Sequence, residues 1–180
     1  MLLTDYIHHC PNAIPVDICD RVVNEVERDP NKWVQGAWYG YRKQEIKSND
    51  HLRYSGVLNL KFMDYVYKQI PILREQGHVI PLDFHSQPRV NKYETGHRMA
   101  VHYDHIHDIF DGMKKGIPIM TTIGNLNDDY EGGSMAFFNK EVQIRAGAGS
   151  VILFPANFMY PHQIMDVTEG TRYSIVTWFT

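Results

Sequence analysis

Two cysteines in 180 residues are too few for a disulfide framework, and Cys19 falls inside a helical pattern, so both thiols are expected to be reduced. Long basic runs are also missing. None exceeds the pair Lys114-Lys115, and the formal net charge is −3, which speaks against a phosphate-backbone partner; no nucleic acid is expected. The apolar runs are far too short to cross a bilayer, so no membrane partner is expected either. The opening MLLTDYIHHC lacks a basic region, a full apolar core and a small-residue cleavage site, so no secretory signal is expected, and the cytoplasm is the expected compartment. No repeat, low-complexity stretch or Pro/Gly/Ser-rich linker divides the chain, and one domain over residues 1 to 180 is the expectation. What remains is a chain 43% apolar and 22% charged, which suits a globular fold acting on small molecules or proteins.

Two helices are expected in the first half. Residues 16 to 28, VDICDRVVNEVER, put Val16, Cys19, Val22, Val23 and Val26 on one face after Pro15, with Asp17 in the first turn. Residues 58 to 69 put Leu58, Phe62, Tyr65, Val66 and Gln69 at spacings of three and four, with Pro71 expected to end the pattern. Together they form an N-terminal helical layer, 16 to 76, packing on a barrel of about 80 to 180. Residues 33 to 54 mix aromatic and basic groups (Trp33, Trp38, Tyr39, Tyr41, Arg42, Lys43, Arg53, Tyr54). A half-buried strand pair explains them better than a peptide grip.

Beyond residue 80 short apolar or alternating segments are divided by Gly, Pro, Asn and Asp, which predicts strands. They are placed at 85 to 93, 98 to 104, 117 to 126, 133 to 138, 141 to 145, 149 to 154, 160 to 165 and 172 to 179, with turns at Asn127-Asp128-Asp129, Gly132-Gly133 and Gly147-Ala148-Gly149. Eight short strands in series suggest a jelly-roll barrel, a mainly β fold with flanking α-helices. The polar stretch 105 to 118 is long for a connection inside a barrel and reads equally as mobile surface or as an active-site lid.

Ten histidines decide nothing by number, but their spacing does. His102-Tyr103-Asp104 puts an imidazole and a carboxylate on one face of a strand, where both can ligate one ion. A second imidazole from another strand would complete a set of two nitrogens and one oxygen on one side of a metal, leaving three positions open; iron(II) oxygenases need such openings, whereas a closed four-ligand structural zinc site has none. His162, in Tyr160-Pro161-His162-Gln163, opens a strand and is the candidate. Ten residues later come Arg172 and Ser174 on one strand face, where a guanidinium fork and a hydroxyl can meet a carboxylate. A buried Arg172 would be costly without an anion. His105 and His107 form a decoy beside the motif and are read as loop residues. His8, His9, His51, His78, His85 and His97 have no partner pattern and are read as structural or solvated.

Tyr93-x-x-Gly96, His102-x-Asp104, Leu126-Asn127-Asp128, Gly132-Gly133-Ser134, the run Gly149 to Phe154, His162, Arg172 and Trp178 occur in that order. The set resembles the prolyl 4-hydroxylase-like branch of the 2-oxoglutarate oxygenases over residues 85 to 180. That resemblance implies a double-stranded β-helix, Fe(II) on His102, Asp104 and His162, and Arg172 against the C5 carboxylate of 2-oxoglutarate. It also implies Tyr93 lining the co-substrate pocket with Trp178 beside it. Where oxygen-sensing relatives carry a Tyr on that carboxylate this chain has Asn125, so Ser174, Thr121 or Asn125 is expected to replace the phenol. The implied reaction consumes O₂ and 2-oxoglutarate, releases succinate and CO₂ and hydroxylates a protein or peptide side chain, prolyl first, with ascorbate as a supporting reductant. A free amino acid or other metabolite as substrate, a cupin-like module that binds metal without turnover, and a zinc hydrolase are the competing readings.

Overall fold

The computed structural model describes residues 2–35, 47–49, 56–77, 84–105 and 117–180. A short 3₁₀ turn, Leu3–Tyr6, precedes strand β1, His8–Cys10, and helix α1, Val16–Glu27. Next come β2, Val34–Gln35, β3, Lys47–Asn49, and helix α2, Gly56–Glu75. The remaining strands are β4 Arg89–Glu94, β5 Met99–His102, β6 Met120–Asn125, β7 Tyr130–Gly132, β8 Met135–Phe137, β9 Val142–Ile144, β10 Val151–Pro155, β11 His162–Ile164 and β12 Val167–Phe179. They build a major sheet in the order β1-β10-β6-β12-β4-β3-β2, with β7 also on β12, and a minor sheet β5-β11-β8-β9. All pairings are antiparallel. The two curled sheets form the double-stranded β-helix.

Strand alternation divides the major sheet's side chains between two cores. Val151, Leu153, Ile175 and Phe179 face the helices, where they meet Ile18, Cys19, Val22 and Val26 of α1 and Phe62, Met63, Val66 and Leu73 of α2. Ile152, Phe154, Val176 and Trp178 face the minor sheet and pack with Met135, Phe137 and Ile164 inside the barrel. The first face holds the helices on and the second lines the site.

Several boundaries differ from the sequence pattern for identifiable reasons. Pro71 lies inside α2 rather than ending it. Its ring is on the exposed side of the helix, and the Tyr67 carbonyl that loses its donor belongs to an exposed residue, while Ile70 and Leu73 anchor the last turns in the core. In α1 it is Ile18, not the exposed Val16, that joins Cys19, Val22 and Val26 in the core. The last strand begins at Val167, five residues before the expected start. Gly170, at φ 76°, lets the backbone kink there. The strand therefore pairs first with β7 and then with β4 and β6. The major sheet also recruits β1, β2 and β3 from before residue 80, so it is not built from the C-terminal half alone. Pairing of β2 with β3 agrees with a strand pair between 33 and 54; Trp38, Tyr39, Tyr41, Arg42, Lys43, Arg53 and Tyr54 lie outside the described residues, as do His51, His78, His107 and residues 106 to 116 of the 105 to 118 connection.

Candidate metal centre

Register brings the two imidazoles together. His102 ends β5 and His162 begins β11, and they are direct cross-strand partners with ring centroids 4.3 Å apart. Asp104 follows two residues after His102, its amide donating to the Ala156 carbonyl at 3.1 Å, which ties the stem of this residue to the end of β10. Its carboxylate lies 3.5 Å (Oδ1) from His102 Nε2 and 3.7 Å (Oδ2) from His162 Nε2. One ligand atom from each residue fits within 4.8 Å of the others, and no further grouping of this kind occurs among the described residues. His105 is not part of it.

Each ring's orientation is fixed from behind. His102 Nδ1 lies 2.8 Å from the Ala100 carbonyl and His162 Nδ1 3.0 Å from the Tyr160 carbonyl. A carbonyl only accepts, so both Nδ1 atoms carry the proton and both Nε2 lone pairs point at the common centre. Phe154 and Phe137 wall His162, at 4.7 and 5.8 Å between centroids. Burial, followed by the neighbouring His102, lowers the His162 pKa from 6.5 to about 4, against the opposing pull of Asp104. The ring is therefore a neutral ligand at neutral pH. Burial alone would raise the Asp104 carboxyl, but His162, His102 and the Thr121 hydroxyl outweigh it and hold the group well below the ordinary carboxylate range. Two imidazoles and one carboxylate, open on one side, are a donor set suited to Fe(II) with exchangeable positions.

Arg172 sits on β12 of the major sheet, whereas the two imidazoles come from the minor sheet, and it is 2% exposed. Its Nη1 donates to Ser174 Oγ at 3.2 Å and its Cζ stands 5.1 Å from the Tyr93 ring centre, Tyr93 being its cross-strand partner. Among the described residues no carboxylate pairs with this guanidinium. Burial raises the Tyr93 phenol, with Arg172 and Asn91 opposing, so it remains a protonated donor. Gly133, at φ 61°, is required here: a Cβ would lie 3.0 Å from both Arg172 Cδ and the Tyr130 ring. Trp178 is 8% exposed and its indole Nε1 is buried with no hydrogen-bond partner among the described residues. A buried cation without an anion and a buried N–H without an acceptor, facing the barrel interior, fit a carboxylate-bearing ligand.

The remaining expected site residues divide differently. Thr121 Oγ donates to Asp104 Oδ2 at 2.7 Å, so this hydroxyl is committed to the metal side. Asn125 Nδ2 donates to the carbonyls of Asn127 and Ala146 at 2.6 and 2.9 Å, and its Oδ1 accepts from the Tyr130 hydroxyl at 3.3 Å. Both its amide protons are used, and it has none left for a carboxylate. Of the three replacements expected for the missing phenol, Ser174 is the one in contact with Arg172. Sequence reasoning missed Tyr130, which follows a predicted turn, and the Phe137–Phe154 wall; strand alternation through β8 and β10 was the available signal for the latter.

A barrel of this topology carrying an open-faced pair of imidazoles and a carboxylate defines a non-haem iron oxygenase fold and site. Residues 88–180, more than half of the chain, match the profile of the 2OG-Fe(II) oxygenase superfamily, and the chain belongs to that family. It is a 2-oxoglutarate-dependent oxygenase, using Fe(II) and 2-oxoglutarate. A PKHD-type hydroxylase of Pseudoalteromonas atlantica is 25% identical over 167 residues, covering 83% of this chain and 68% of that protein. Among solved structures, the viral collagen prolyl hydroxylase of Paramecium bursaria Chlorella virus-1, as a 2-oxoglutarate complex, superposes with a TM-score of 0.68 at 19% identity, covering 96% of this chain and 94% of that one. A Pseudomonas putida prolyl-4-hydroxylase gives 0.63 at 16% identity, with 97% and 91% covered. A Trichoplax adhaerens prolyl hydroxylase in complex with a hypoxia inducible factor oxygen degradation domain peptide fragment gives 0.71 at 16% identity, with 98% and 84% covered. At these identities the solved structures bear on the fold.

Proposed function

We propose that His102, Asp104 and His162 hold the iron, that Arg172 with Ser174 and Tyr93 receives the distal carboxylate of 2-oxoglutarate, and that the substrate is a protein or peptide side chain, prolyl first. The observation carrying the reading is the buried Arg172 guanidinium, without a carboxylate among the described residues, on the barrel face of the major sheet, while the two imidazoles of the open triad come from the minor sheet. Bound iron supplies the activation of O₂ coupled to conversion of 2-oxoglutarate to succinate and CO₂ and to hydroxylation of the substrate. The chain's own groups bind, orient and exclude water. Arg172 and Ser174 offer charge-assisted and hydroxyl bonds of about 1.5–3 kcal/mol each to a carboxylate. The orphan Trp178 N–H supplies one more donor in the barrel. Phe137 and Phe154 keep the His162 side dry, which strengthens every polar contact within it. A peptide substrate is supported by the Trichoplax relative, bound to one, and the prolyl preference by the names of the three similar structures.

The test is incubation with Fe(II), 2-oxoglutarate, ascorbate and a panel of proline-containing peptides, reading succinate and peptide mass. Succinate formed with one oxygen atom gained on proline is expected. Oxygen gained on another side chain would overturn the prolyl assignment, and turnover with free amino acids alone would overturn the peptide assignment.

A further inference from the structure

The two oxygens of Asp104 are not equivalent. Oδ1 faces His102 Nε2 at 3.5 Å, whereas Oδ2 faces His162 Nε2 at 3.7 Å and also takes the Thr121 proton at 2.7 Å. With both oxygens turned toward the imidazoles, an unrestrained carboxylate could chelate an ion through the pair and occupy one of the positions that the 2-oxo acid and O₂ require. A hydroxyl proton on Oδ2 draws charge from that oxygen and pins the carboxylate plane, leaving Oδ1 the stronger donor.

Thr121 cannot retreat from this task. It lies in the middle of the major sheet, fully buried, with Phe154 of β10 on one side and Trp178 of β12 on the other. The Asp104 backbone is held in turn by the Ala156 carbonyl. We propose that Thr121 is a positioning residue that restricts Asp104 to ligation through Oδ1 alone and so keeps three adjacent metal positions open. This rests on the metal assignment proposed above.

The test compares Thr121→Val, which keeps the shape and loses the hydroxyl, with Thr121→Ser, which keeps the hydroxyl. Mn(II)-loaded protein reports metal-bound water through water-proton relaxation, and calorimetry gives its affinity for 2-oxoglutarate. In Thr121→Val the number of metal-bound waters should fall by one and 2-oxoglutarate affinity should fall on the order of ten- to a hundredfold, while Thr121→Ser restores both. Wild-type relaxation and wild-type 2-oxoglutarate affinity in Thr121→Val would overturn the proposal. Weaker Mn(II) uptake with unchanged 2-oxoglutarate binding by the loaded protein, the result of a merely structural bond, would overturn it too. Failure of the wild-type chain to take up Mn(II) at all would instead remove the metal assignment, and this inference with it.

Discussion

The two faces of the major sheet use the same strands for opposite purposes. Toward α1 and α2 the buried side chains are overwhelmingly aliphatic or aromatic, from Val22 and Phe62 to Leu153 and Phe179. Toward the minor sheet the same strands present Thr121, Asn125, Arg172 and Ser174 among Ile152, Phe154 and Trp178. The helix-side face loses stability when a side chain is cut back, because a close-packed apolar core cannot refill the space. The barrel face carries the Arg172 guanidinium, which meets no carboxylate among the described residues, and its loss should be felt by ligands more than by the fold.

The sharpest separation comes from the ligands. His102→Ala or Asp104→Ala should abolish iron-dependent succinate formation while the circular dichroism and the cooperative melt survive, since His102 ends β5, Asp104 follows just beyond it with its backbone tied to Ala156, and the fold is held by the apolar core. Wild-type turnover in either variant would break the comparison on its functional side. Phe62→Ala should do the reverse, costing about 3–5 kcal/mol of stability and roughly 10 °C or more in Tm, with 2-oxoglutarate affinity of the folded fraction unchanged. A melt unaffected by that substitution would show that the helical layer is not the stabilising face.

Arg172→Met should raise the 2-oxoglutarate concentration required by roughly ten- to a hundredfold, leaving metal affinity near wild type; Arg172→Lys should recover part of it, without the planar fork. Equal dependence on 2-oxoglutarate in all three proteins would remove the assigned role. The smallest effect is in the metal-free protein. His162 titrates at about 4 when folded against 6.5 ordinarily, so across that window the unfolded chain binds a proton the folded chain refuses, and stability rises with pH. The depressed Asp104 carboxyl acts in the same direction at still lower pH. Urea unfolding of His162→Phe across the window should show a flatter pH dependence, and an unchanged slope would contradict the assignment.

The triad was legible because its information is local. A two-residue step brings His102, the last residue of β5, and Asp104 just beyond it to one place, and the order of motifs pointed to His162 and Arg172. What the sequence concealed was tertiary. That Thr121 would reach Asp104 and not the co-substrate depends on which strands flank β6, and no spacing within the segment encodes it. Asn125 looked available as a carboxylate ligand until the carbonyls of Asn127 and Ala146 claimed its protons. The last strand, expected from residue 172, begins at Val167, because a positive-φ kink at Gly170 is accommodated inside the ladder by pairing with β7, which no local pattern encodes. Pro71 read as a helix end because the burial of Leu73 beyond it is invisible in a local pattern.

Anaerobic calorimetry of 2-oxoglutarate binding, with and without Fe(II), for the wild-type chain, His102→Ala and Arg172→Met, bears most directly on the barrel interior as one two-ended site. Binding should be tight only when the metal, His102 and Arg172 are all present, because the two ends of one ligand are held from the two sheets of one barrel. Equal affinity without iron, or in either variant, would mean that the triad and the guanidinium do not serve the same molecule.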